Sequence, residues 1–160
     1  MQMIKSVTAG VVLGLGVLAA GNAVAQGKPV LTQAIAKKMS EGCEQKAKAE
    51  GWRMVIAIVD DGGNLKHYTR MDDSFLISIK VAEMKANTSA GLPVSTKKFG
   101  EISKMIPGIE LIPNTATFGG GLPIMSGGKH IGGIGVSGAS ADQDEVCAQA
   151  GLDAVKDELK

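Results

Sequence analysis

The residues best suited to chemistry are few and scattered. His67 follows Leu65 by two residues in a stretch that reads as a strand, so the two share one face. It could act as a ligand or as an acid–base group, and the plainer alternative is a hydrogen-bonded histidine at a sheet margin. His130, beside Lys129 at the tip of a glycine-rich hairpin, reads as solvated or as a second ligand. Neither histidine has a second zinc-type ligand three or four residues away, so the pattern of a zinc hydrolase is missing. Arg70-Met71-Asp72-Asp73 closes the strand that carries His67, and Lys85 lies on the helix that follows. Together they could form an ion-pair network beside a pocket, with Arg70 and Lys85 holding a carboxylate and His67 moving a proton. Asp72 reads equally well as a helix cap paired with Arg70. Asp60 and Asp61 could hold a divalent cation, but turn chemistry explains them too. The chain has no G-x-S-x-G and no C-x-x-C, and neither Cys43 nor Cys147 sits in a thiolate-stabilising motif.

The elements that must position these residues follow from periodicity. Leu31, Ile35, Met39, Cys43 and Ala47 recur every four residues, which predicts an amphipathic helix capped by Thr32 and stopped near Gly51. Trp52 to Val59 is an apolar β-branched run, Asp60 to Asn64 a turn, and Leu65 to Arg70 the returning strand. Asp72-Asp73-Ser74 offers caps for a second helix through Leu76, Ile79, Ala82, Ala86 and Ala90, ended by Gly91-Leu92-Pro93. A short helix begins after Ser95 or Thr96, a loop runs from Pro107 to Pro113, and Asn114 to Phe118 reads as a short strand. A last helix is predicted over Asp142 to Lys160. The order is α-β-β-α-α-β-β-β-α in one antiparallel sheet. If the terminal helices share a face of that sheet, Cys43 and Cys147 point into the same layer and could bridge; otherwise each is a small core residue.

The densest feature is Phe118 to Gly138, where nine of 21 residues are glycine. Gly127-Gly128 predicts a tight hairpin turn, and the glycines on either side leave backbone open to a helix, a second subunit or a flat ligand. Gly133 to Gly138 also matches the dinucleotide pattern G-x-G-x-x-G. Only 22 residues follow it, which is room for one helix but not for the second parallel strand that the nucleotide fold requires.

Residues 1–25 read as a secretory leader: Lys5, a short apolar core from Val7 to Ala20, and Ala23-Val24-Ala25 before Gln26. The expectation is cleavage there, a periplasmic or secreted protein, and a single mature domain over 26–160 without a membrane span. Removing the leader takes one of the 17 basic residues and leaves 16 against 16 acidic ones. A formally neutral domain with 3% aromatic residues has no electrostatic footprint for nucleic acid.

The combination Asp60-x-Gly62-Gly63, Arg70-Met71-Asp72, Lys85-Ala86-x-Thr88-x-Ala90, Gly119-Gly120-Gly121-Leu122-Pro123 and Gly132 to Gly138 resembles the GlcG/HbpS family, a relative of the PduO C-terminal domain. The likeness runs from about Leu31 to Lys160 and includes Gln143-Asp144. It implies a profilin-like fold of α+β class, α/β/α layers around a five-stranded antiparallel sheet. It further implies a homo-oligomer and, for some members, haem binding. In that reading His67, Met71 or His130 would be ligand candidates, beside Arg70 and Lys85, in a periplasmic ligand-binding protein. The alternatives are an accessory subunit that docks periplasmic protein partners, or an enzyme acting on a small carboxylate.

Overall fold

The computed structural model describes residues 27–160, so the leader expected over 1–25 lies outside the described residues. Four helices pack on one four-stranded antiparallel sheet: α1 (Gln33–Glu50), β1 (Val55–Asp60), β2 (Leu65–Arg70), α2 (Leu76–Gly91), α3 (Thr96–Met105), a 3₁₀ turn (Ile109–Leu111), β3 (Gly121–Ser126), β4 (Lys129–Ser137) and α4 (Ala141–Asp153). The strand order is β2-β1-β4-β3.

Helix boundaries follow local chemistry. Thr32 caps α1 by accepting from the Ile35 amide, and Gly51 ends it in the left-handed conformation at φ 74°. Ser95 caps α3, and Ser140 with Gln143 forms a reciprocal capping box on α4. The caps expected for α2 are not used: Phe75 occupies that position without a side-chain bond. Asp73 is instead held at φ 60° in the preceding turn, and Ser74 accepts from Arg70. The last helix is shorter than periodicity suggests, giving way to turns after Asp153, although Val155 and Leu159 still reach the core.

A fifth strand over 114–118 does not form. The Ala116 amide donates to the Thr88 hydroxyl at 2.8 Å, so this segment is pinned to α2 and has no strand partner. Extended propensity there loses to a side-chain acceptor already in place.

The central strand β1 is buried on both sides, and alternation divides its residues between two cores. Ile56 and Ile58 join Ile134, Val136, Met39, Cys43, Cys147 and Ala148 beneath α1 and α4. Val55, Ala57 and Val59 meet Ala82, Ala86 and Ala90 of α2 on the opposite face. The terminal helices do share one face, and Cys43 and Cys147 are joined in a disulfide with their Cα atoms 4.7 Å apart.

The glycine hairpin turns at Gly127 and Gly128, with φ 54° and 74°, the pair of positive values a two-residue primed turn demands. Its open backbone is covered by the chain's own helix. A Cβ on Gly133 would lie 2.7 Å from the Ala90 amide nitrogen, and one on Gly135 would collide with the carbonyl of Ala82. Alanines spaced four apart on α2 therefore sit directly on the glycines of β4.

Candidate functional site

The residues of interest fall into three places. The first is a cleft of ≈ 600 Å³ at the end of the β1–β2 hairpin, lined by Glu44 and Lys48 of α1, Arg53, and Thr69 through Asp73. Hairpin pairing builds it. Val55 lies opposite Arg70, and the Met71 amide donates to the Met54 carbonyl at 2.9 Å, which carries the pairing on toward Arg53. Arg70 and Met71 thus share this cleft. Arg70 donates to the hydroxyl and carbonyl of Ser74 at 3.3 and 3.4 Å. The Met71 sulfur accepts from the Met54 amide at 3.5 Å, and its side chain packs on the larger core. His67 is half-buried on the same strand and shares a 3.2 Å hydrogen bond with Thr69, whose hydroxyl also accepts from Ser40.

The second place surrounds Lys85, whose side chain is fully enclosed, at 0% exposure, and spans the layers. Its ammonium donates to Asp144 on the first turns of α4 at 2.7 Å and to the Val136 carbonyl of β4 at 2.8 Å. It also lies 4.8 Å from the centre of the half-exposed Phe118 ring. Burial lowers the Lys85 pKa below its ordinary value, and the Asp144 charge opposes that. Burial likewise raises Asp144, against Lys85 and the amides of Ala139 and Gly138. One oxygen of Glu145, close enough to add to the field on Lys85, is buried without a partner.

His130 occupies the third place. Contrary to the solvated tip expected of it, it is half-buried, and its Nε2 lies 2.9 Å from the Ser89 carbonyl of α2. Since a carbonyl only accepts, the proton on Nε2 is the donor. His67 stands opposite Ile58 and so faces α1, whereas His130 faces α2. Within one chain the two histidines cannot meet.

An apolar cleft of ≈ 420 Å³ lies apart from all three, between the end of α2, α3 and the 3₁₀ turn, with Leu92, Phe99, Ile109, Ile112 and Pro113 in its walls. It contains no histidine, cysteine or methionine. Among the described residues no three His, Cys, Asp or Glu side chains converge as a metal site.

Type and spacing do not single out Arg53, Lys48 or Asp144. Arg53 could be found only by extending the hairpin register two residues beyond the strand. Asp144 could be found only by asking what a lysine is doing in the Ala/Ser/Thr-rich interior of α2.

These layers, with a polar cleft at one end and an ionic bolt between α2 and α4, describe a small single domain of α+β class. Residues 31–153 match the family described as haem degrading protein HbpS-like, and the chain belongs to that family. It is 38% identical over 130 residues to an uncharacterised 15.0 kDa protein from the dhaT-dhaS intergenic region of Citrobacter freundii, covering 77% of this chain and 90% of that protein. Among solved structures it resembles HbpS, at 31% identity and a TM-score of 0.78 over 86% of this chain and 99% of that one. It also resembles PduOC, solved as a haem complex, at 29% identity and a TM-score of 0.75 over 79% and 95%.

Proposed function

We propose that this protein is exported, forms a homo-oligomer and binds a tetrapyrrole, with haem the first ligand to test. The observation that carries this reading is the match of the whole domain, at a TM-score of 0.75, to a relative solved with haem bound. Haem needs an apolar bed, a ligand for iron and cations near its propionates. The β1–β2 cleft offers cations in Lys48, Arg53 and Arg70, and the thioether of Met71. His67 lies on the same strand, one hydrogen bond from the cleft wall. The β1–β2 cleft is lined mainly by charged and polar residues, so in this reading a second copy supplies the apolar bed. Phe75, Leu76 and Ile77 support that reading, since they lie two to four residues after the cleft residue Asp73 and are 66%, 77% and 70% exposed. When bound, haem would supply iron; the chain's part is to hold and orient it. Lys85 stays outside the ligand set in this reading, because its ammonium is enclosed.

Export is favoured by the leader-like residues 1–25 and by the Cys43–Cys147 bridge, which suits an oxidising compartment. The test is a hemin titration of the mature protein followed at the Soret band, repeated with His67→Ala, Met71→Ala and His130→Ala. The expected result is saturable binding, with a shifted or weakened band in the His67 or Met71 variant and none in the His130 variant. A linear titration without saturation would reject the reading. A stable oligomer in the same sample would then point to the accessory-subunit alternative.

A further inference from the structure

We propose that Arg53 and Arg70 form a carboxylate-binding fork, which under the tetrapyrrole reading takes the acid side chains of that ligand. The chain has only two arginines, and both line the same cleft. Every ion pair among the described residues is made by a lysine, and neither arginine takes part in one. Arg53 donates only to the carbonyls of Gly51 and Trp52, at 3.3 and 3.2 Å. Arg70 donates only to Ser74. These are neutral acceptors, which orient the two guanidinium groups while leaving each without an ion-pair contact. Other N–H groups on each fork remain for a ligand.

Guanidinium presents parallel donors at the spacing of a carboxylate, which an ammonium cannot do. The cleft also contains Glu44, Asp72 and Asp73. Glu44 is engaged by Lys48 at 3.5 Å. Asp72 and Asp73 belong to the turn before α2 and lie beyond ion-pair distance of either arginine. Their negative charge in the cleft lining opposes a weakly held anion, so selectivity falls on groups able to engage both forks. A flat ligand with two acid side chains meets that requirement, and one with esterified acids does not.

The experiment compares hemin with hemin dimethyl ester on the mature, oxidised protein, in wild type, Arg53→Gln/Arg70→Gln and Arg53→Lys/Arg70→Lys. Wild type should bind the free acid about tenfold or more tighter, the scale of one charge-assisted pair. The preference should vanish in the glutamine variant and be intermediate with lysine, with circular dichroism confirming that both variants fold. Equal binding of acid and ester by wild type, or a preference that survives in the glutamine variant, would overturn the fork and leave the tetrapyrrole reading standing. If hemin does not bind at all, that reading fails, and the fork is decided by succinate. Titration with it should move the Nε–H resonances of both Arg53 and Arg70, and signals unmoved across the titration would overturn the fork.

Discussion

The two faces of the sheet are stabilised by different means. Beneath α1 and α4 the core is built from volume: isoleucines, methionines and valines, closed by a disulfide between the helices. Beneath α2 it is built from proximity, with alanines lying on glycines and a single ionic contact crossing to α4. The first face has side chains that can shift to absorb a change. The second has backbone against backbone and a charge that no water reaches. A loss of atoms should therefore be felt chiefly on the first face, and a gain of atoms or an unpaired charge on the second.

The covalent tie gives the largest expected effect. Cys43→Ala/Cys147→Ala opens a link between residues 104 apart in sequence, for which chain entropy gives up to about 4–5 kcal/mol. Urea unfolding of the variant measures it; an unchanged midpoint would mean that packing alone holds this face. The ionic bolt comes next. Asp144→Asn leaves the Lys85 charge buried and unpaired, an expected cost of about 3–5 kcal/mol, while Lys85→Met/Asp144→Leu should recover most of that loss. If the double variant is as unstable as the single one, the pair is not what holds α2 to α4.

A gain of atoms on the second face is set against a loss on the first. Gly135→Val should cost about 1–3 kcal/mol or more by forcing α2 off β4. Ile58→Val on the opposite face should cost about 0.5–1.5 kcal/mol. Thermal melts showing the reverse order would break the comparison. The smallest effect concerns Tyr68, whose hydroxyl donates to the Ile79 carbonyl and whose pKa burial raises above the ordinary 10.0. A raised folded pKa gives stability that is whole below the unfolded value and lost as pH rises through the folded one. The stability gap between wild type and Tyr68→Phe should shrink from about pH 8 to about pH 11, as read by urea midpoints.

Periodicity carried most of the fold because the helices and hairpins are locally consistent. Thr32, Gly51, Ser95, the Asp60–Asn64 turn and the Gly127-Gly128 turn each act where their chemistry points. The fifth strand failed because Thr88, distant in sequence, supplies the Ala116 amide with its acceptor. Asp72 and Asp73 read as caps by type, but Arg70 draws Ser74 into a tighter turn and the helix begins after them. The site was legible only in part. Arg70 and Met71 are neighbours in sequence and stay together, whereas Arg53 joins them through strand register and Asp144 reaches Lys85 across 59 residues. No local pattern encodes a pairing of that kind. The glycines announced a close approach, but only the packed structure identifies α2 as what approaches.

Native mass spectrometry with an absorption spectrum, on protein expressed from the full sequence with residues 1–25 in place, tests the central claim most directly. The account predicts an oligomer of chains beginning at Gln26, a Soret band, and a tetrapyrrole mass released on denaturation. Chains that carry no such mass and that do not acquire a Soret band when hemin is added would contradict it.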